Sequence, residues 1–213
     1  VGFSSKLQFE LMKDNDNVPN FNISPIQTPF LDSIAKESVL FPNYYTHPTC
    51  TPSRSALMTG KYAFMVGMPF PIVGPGSMIG LDPSLKTMAN HFQDAGYSTH
   101  MVGKWHLGLG DGAVDWNTAV KPGPGEVGFD YSFLIPATGD RVPTVYLEGH
   151  NVVSLDPGDP ISVDYSEKIG DRPTGEEHPE LLRFDADAQH SNTIVNGVSR
   201  IGYMSGGESA LWV

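Results

Sequence analysis

The segment from Asp82 to His106 constrains what this chain can fold into more than any other. Asp82-Pro83 is a helix-start signal: a capping carboxylate precedes a ring already locked at a helical φ. Leu85, Met88, Ala89 and Phe92 then recur at helical spacing, and Gly96 supplies the residue type that most easily ends a helix. Residues 97–102 follow as a strand, and Gly103-Lys104-Trp105-His106 stands just past its carboxyl end. Thr28-Pro29 opens the same pattern earlier. Thr28 is the N-cap, Phe30, Leu31, Ile34 and Ala35 share one face, and 39–45 reads as a strand interrupted at Pro42. Helices alternating with strands predict an α/β domain, in which ligands gather outside the carboxyl ends of the strands.

The 213 residues suffice to bury a core as one domain. With 23 Gly and 18 Pro the loops must be many. They concentrate at 121–183, where 131–135, 144–147 and 161–165 are short strand candidates in an irregular, β-containing region. A formal net charge of -11 disfavours nucleic acid as a partner, since no basic tract exists to neutralise phosphates. A small anionic ligand needs only a local cationic pocket. No apolar run is long enough to span a membrane. Val1-Gly2-Phe3 reads as the interior of a protein, and Ala210-Leu211-Trp212-Val213 stops without a polar tail, so the chain is expected to be truncated at both ends.

Cys50 is the only cysteine, placed in a loop ahead of a helical segment at 53–59 that ends near Gly60. Alone it admits two readings, a buried thiol acting as a small hydrophobe or a thiolate activated at a helix N-terminus. Lys104 and His106, taken singly, are ordinary solvated or packed residues. Asp140-Arg141 is either a substrate contact or a surface ion pair. Asn22-Ile23-Ser24 fits a glycosylation triplet.

Taken together these residues carry a resemblance. Cys50-Thr51-Pro52-Ser53-Arg54, continued by Leu57-Met58-Thr59-Gly60-Lys61-Tyr62, resembles the sulfatase family signature. Gly103-Lys104-Trp105-His106-Leu107-Gly108 looks like the family's second signature, and Gly128-Phe129-Asp130 like the short element after it. Ile26-Gln27-Thr28-Pro29 with Leu31-Asp32 and Ala35-Lys36-Glu37 is similar to the helix that comes before the cysteine. The order and spacing match from about 27 to 130, and residues 190–207 are similar to a segment of some bacterial sulfatases.

The resemblance implies part of an alkaline-phosphatase-like sandwich with a mostly parallel central sheet flanked by helices. Residues 1–130 would be the N-terminal part of the catalytic domain, and 131–213 its continuation with an irregular insertion. It implies that Cys50 is oxidised to formylglycine by a formylglycine-generating enzyme that reads Cys50, Pro52 and Arg54. The hydrated aldehyde carries two hydroxyls; one attacks sulfur, and the other lets the carbon–oxygen bond break to release sulfate. By resemblance Arg54 holds the modified side chain, Lys104 binds a sulfate oxygen, and His106 aids deprotonation. By resemblance Lys61 lies close to the modified side chain and Thr138 stands where a hydroxyl residue nears the sulfate; with Arg141, which follows Thr138 closely, they are the candidate substrate contacts.

The family binds a divalent cation, usually Ca2+. Among the residues of this chain only Cys50, once converted, is implied as a ligand. The implied substrate is a sulfated small molecule or glycan, in the periplasm or outside the cell. Two alternatives stay open: a phosphonate or phosphate ester hydrolase with the same nucleophile, and an inactive homologue that binds sulfated glycans. A sheet with missing neighbours is poorly covered. The isolated 213-residue chain is therefore expected to be marginally folded and inactive, and its turnover of an aryl sulfate is the measurement that checks this.

Overall fold

The computed structural model describes residues 28–39, 41, 43–72 and 80–212. Val1-Gly2-Phe3, the Asn22-Ile23-Ser24 triplet, Ile26-Gln27 and Pro42 lie outside them. The chain forms two compact units, Val1–Cys50 and Thr51–Val213.

In the first unit, Pro29–Lys36 is helix α1, with Thr28 at the N-cap and Pro29 in the first turn. The Thr28 hydroxyl donates to Asp32 (3.0 Å) and leaves the helix N–H groups without a side-chain cap. The expected strand at 39–45 does not form among the described residues. A strand exists only where a neighbour takes its backbone hydrogen bonds. Tyr44 N–H instead donates back to the Phe41 carbonyl (3.3 Å), closing a turn.

Helix α2 runs Cys50–Thr59, so Cys50 begins the helix and does not lie in a loop. Pro52 is tolerated because first-turn N–H groups have no helical partner. Gly60 ends the helix at φ 65, its N–H returning to the Ala56 carbonyl (2.9 Å).

Helix α3 is Met88–Asp94 and starts later than Asp82-Pro83 suggests. The Asp82 carboxylate accepts from Ser84 N–H (2.8 Å) and folds a turn instead. The cap falls to Thr87, which exchanges side-chain and backbone bonds with Asn90 in a capping box. The Thr87 hydroxyl also donates to the Val127 carbonyl (2.6 Å), anchoring the helix start in the core.

The main sheet has the order β1-β2-β3-β4. These strands are His100–Lys104, Tyr131–Ile135, Leu147–Glu148 and Asn151–Val152. β1 and β2 are parallel, with His100 opposite Tyr131 and Lys104 opposite Ile135; β2–β3 and β3–β4 are antiparallel. Leu134, Leu147 and Val152 turn into the core from three adjacent strands. β1 begins three residues later than its apolar pattern suggests, because Thr99 is taken by Asp130. The Asp130 carboxylate accepts from Thr99 N–H (2.8 Å), and the Thr99 hydroxyl donates to the Gly128 carbonyl (2.6 Å). Gly128-Phe129-Asp130 is thus a staple that sets the β1–β2 register.

Parallel strands need a long crossover. Here residues 105–130 make it as a packed loop with a single 3-10 turn, Pro124–Val127, and bury Trp105, Leu107, Leu109, Trp116, Val120 and Val127. Beyond the sheet, β5 (Ser162–Asp164) pairs antiparallel with β8 (Tyr203–Ser205). β6 (Ile194–Val195) and β7 (Val198–Ser199) form a hairpin. Its turn, Asn196-Gly197, has both residues at positive φ, the geometry that matches strand twist. Of these four strands, only the one at 162–164 falls within an expected strand. The 144–147 candidate contracts to Leu147 plus an isolated bridge from Val145 to Leu211.

Gly128 carries two demands at once. Its φ is 100, and a Cβ there would stand 2.4 Å from Asn90 Nδ2 and 2.8 Å from the Asn90 backbone N. Gly128→Ala is expected to destabilise the fold by about 2 kcal/mol or more, since left-handed strain adds to a clash with the α3 cap. Urea unfolding monitored by tryptophan fluorescence checks it.

Candidate functional site

The site is built where β1 and β2 end. The parallel pairing does not stop with the strands: Trp105 N–H donates to the Ile135 carbonyl and His106 N–H to the Pro136 carbonyl, both at 3.0 Å. The segment 104–106 is thereby laid alongside 135–141. His106 sits at φ 55, a backbone conformation that few non-glycine residues adopt. Such strain persists only where the surroundings over-determine it, and it concentrates at working sites.

His106 is 2% exposed. Its Nε2 lies 3.0 Å from the Ile72 carbonyl, which can only accept, so Nε2 carries the proton. Nδ1 is then the acceptor nitrogen, buried and without a hydrogen-bond partner among the described residues. Burial pushes the His106 pKa down to about 4, against the Ile72 hydrogen bond and with the help of the charges of Lys104, Arg141 and Arg54. The ring is neutral at physiological pH, with a bare lone pair in a cationic setting.

The neighbours are locked from several elements. Arg54 reaches from α2 and donates through Nη1 to the Lys104 carbonyl (2.7 Å), tying the helix to the end of β1. Fully buried Thr51 donates to the His106 carbonyl (3.0 Å) and accepts from Ile72 N–H (3.3 Å). Arg141 Nη1 also donates to the Ile72 carbonyl. One backbone oxygen thus holds both the His106 ring and the Arg141 guanidinium. In a chain of net charge -11, Arg54, Lys104 and Arg141 make a local cluster of cations acting on one neutral imidazole.

Cys50 is the first residue of α2, half-buried, and covalently adjacent to Thr51. Lys61 is exposed, just past the helix end, and its backbone N–H donates to Thr59 (3.3 Å); its side chain is not among the groups bonded around His106. Thr138 is half-buried, and its carbonyl accepts from Arg141 N–H (3.2 Å), so it shapes the turn that presents Arg141. Sequence reasoning missed Ile72, whose contribution is a carbonyl and carries no side-chain signal. Thr51 was inside the Cys50 run and could have been found there.

A second group adjoins this one. Asp140, next to Arg141 in the chain, lines a cavity of about 260 Å3 with Phe184, Asp185, Asp187, His190 and Arg200. Arg200 donates to the Gly139 and Val195 carbonyls and lies over the Trp212 ring, 5.3 Å from its centroid.

Calcium favours six to eight oxygen ligands, several of them carboxylates. Among the described residues, no group of three or more His, Cys, Asp or Glu side chains converges to hold a metal ion. These residues alone therefore do not provide a calcium shell. Among them, too, no helix is long and apolar enough to cross a membrane.

Comparison with known proteins places the chain in a family. The Sulfatase family model matches residues 12–153. An N-acetylgalactosamine-6-O-sulfatase of Bacteroides thetaiotaomicron is 48% identical over 194 residues, which is 90% of this chain and 38% of that protein. An arylsulfatase of Klebsiella aerogenes is 32% identical over 70% of this chain and 33% of its own length. A solved structure described under the metabolism of multiple glycosaminoglycans by Bacteroides thetaiotaomicron superposes with a TM-score of 0.74 at 51% identity, covering 78% of this chain and 34% of that one. The chain spans between 33% and 38% of the length of these proteins.

The His106 pKa makes a stability prediction. The folded state resists protonation of a ring that protonates near 6.5 when unfolded, so stability is complete above 6.5 and declines as pH falls toward 4. The expected loss is on the order of 3 kcal/mol across that window. His106→Gln, which keeps a donor for Ile72, is expected to flatten the slope in denaturant titrations at several pH values.

Proposed function

We propose, from the premise that this chain belongs to the sulfatase family, that the protein hydrolyses sulfate esters of a glycan through Cys50 converted to formylglycine. The fold it shares with the solved Bacteroides structure is the alkaline-phosphatase-like α/β sandwich of that family. The observation that carries the reading is the buried, neutral His106, whose Nδ1 has no hydrogen-bond partner among the described residues, under the charges of Lys104, Arg141 and Arg54. A sulfate ester asks for this combination: cations for the anionic oxygens and a base able to take one proton at neutral pH.

Converted to formylglycine and hydrated, Cys50 would supply one hydroxyl to displace the alcohol at sulfur and a second to expel sulfate. The chain's own residues do the rest. Lys104 meets a sulfate oxygen as a compact cation, and Arg54, fixed on the Lys104 carbonyl, keeps α2 and β1 in register beneath it. Nδ1 of His106 accepts the proton of the hydroxyl that expels sulfate, while Nε2–H stays on the Ile72 carbonyl and fixes the tautomer. Arg141, anchored on the same carbonyl, faces the leaving group. Lys61 and Thr138 stand as outer substrate contacts. A calcium ion would draw its other ligands from residues other than those described.

The leaving alcohol belongs to a sugar. The name of the 48% identical relative supports an N-acetylgalactosamine 6-sulfate, and the 260 Å3 cavity beside Arg141 supports a ring of that kind. Its carboxylates suit hydroxyl groups, and the exposed Phe184 suits an apolar sugar face. Such a substrate places the protein in the periplasm or outside the cell.

The test begins with mass spectrometry of the Cys50 peptide after co-expression of the full-length protein with a formylglycine-generating enzyme. Replacement of CH2–SH by CHO is expected, with sulfate release from a 6-sulfated N-acetylgalactosamine glycoside. Lys104→Ala is expected to lower kcat by about 100- to 1,000-fold, with folding unchanged by circular dichroism. An unmodified thiol, or aldehyde without sulfate release, would count against the hydrolase reading and favour a glycan-binding homologue.

A further inference from the structure

Around the cavity next to Arg141, both nitrogens of one imidazole face carboxylates. His190 Nδ1 lies 2.9 Å from each oxygen of Asp187, and Nε2 lies 3.1 Å from Asp140 Oδ2. A neutral imidazole has one donor and one acceptor; only the imidazolium donates from both sides. Asp187 is itself held in place, because its Oδ1 accepts the backbone N–H groups of Gln189 (2.7 Å) and His190 (2.9 Å). Asp140 stands at the turn that presents Arg141. Its carbonyl accepts Ile201 N–H (2.8 Å), and Arg141 pairs with Ile201 in an isolated parallel bridge.

We infer that Asp187 is a positioning residue: its fixed carboxylate holds His190 as an imidazolium against Asp140, and this clamp orients the Asp140-Arg141 turn toward the sugar of the substrate. The inference rests on the hydrolase reading above for the identity of that substrate. The groups facing His190 are Asp187 on its own loop and Asp140 from across the cavity; Arg200 and Asp185 complete the charged lining. The hydrogen bonds from Asp187 and then Asp140 raise the His190 pKa above 6.5, while the two backbone N–H donors bring Asp187 down to about 2. Asp187 is therefore anionic throughout the useful range, and His190 is the member that titrates. The sign follows: the clamp is complete below the ordinary imidazole value and opens as pH rises through the raised one. Substrate affinity should fall with it, since two carboxylates then face a ring with a single donor.

The test uses the full-length protein with formylglycine installed. The His190 ring is titrated by NMR, its signal assigned by its loss in His190→Gln, in the wild type and in Asp187→Asn. KM and kcat for a 6-sulfated N-acetylgalactosamine glycoside are measured across the same pH range. In Asp187→Asn the His190 pKa should move down toward 6.5, and the pH at which KM rises should move with it. KM near neutrality should rise about tenfold while kcat holds within about twofold. His190→Gln should give a weak KM that no longer varies across the imidazole range. An unmoved His190 titration in a folded Asp187→Asn protein overturns the clamp. A shifted titration with an unmoved KM profile overturns its link to the substrate. A wild type that turns over no sulfate ester refutes the hydrolase reading and the clamp's role in substrate orientation with it, while the NMR titration separately decides whether Asp187 holds His190 as an imidazolium.

Discussion

The rest of the structure depends on a parallel pairing that outlasts its strands. β1 and β2 are each five residues long, yet the hydrogen bonds continue to His106 N–H and the Pro136 carbonyl. That extension lays Lys104 and His106 beside the turn carrying Asp140 and Arg141. The start of the pairing is fixed as firmly as its end, by the Asp130 carboxylate on Thr99 N–H. A strand slipped by one residue would turn every side chain to the opposite face. The Asp130 staple, far from the chemistry, therefore decides which groups meet at the site.

Electrostatics then acts on what the backbone has assembled. The chain is acidic overall, yet Arg54, Lys104 and Arg141 all act on His106. Their first effect is on that ring: with burial, they keep it neutral. Their second would be on any anion that enters, which would meet half-buried cations, two of them already oriented by hydrogen bonds to backbone carbonyls. Net charge thus says little about the ligand, and the local arrangement says most of what can be said.

The residues that carry the family resemblance were the most legible part of the sequence. Cys50, Arg54, Lys104 and His106 sit in two short runs whose order carries the family resemblance, and the fold sets Arg54 on the Lys104 carbonyl with both charges acting on His106. Local structure was legible where the signal was side-chain chemistry with one competitor. Pro29 opens α1, Gly60 and Gly96 follow helices, and 131–135 is a strand over its whole length. It failed where two signals competed. Asp82 spends its carboxylate on Ser84, so the Thr87–Asn90 box wins the helix start. The strand at 39–45 needed a partner that a sequence window cannot supply. The Asn196-Gly197 hairpin was written in a dipeptide that also belonged to a longer family-like segment, and its turn meaning went unread. Backbone contributions were illegible throughout, since the amide of residue 72 would look the same under any side chain.

That last point has an evolutionary side. The Ile72 carbonyl receives both the His106 ring and the Arg141 guanidinium, and Ile72 N–H meets Thr51. The peptide unit, not the isoleucine, is the recognition element. Residue 72 is thus free to drift among apolar types that fill the same buried space, with little effect on the chemistry. The spacing along the chain from α2 to this peptide has no such freedom. An insertion or deletion there would bring a different carbonyl to His106, so selection at this point would act on chain length and leave residue identity comparatively unguarded.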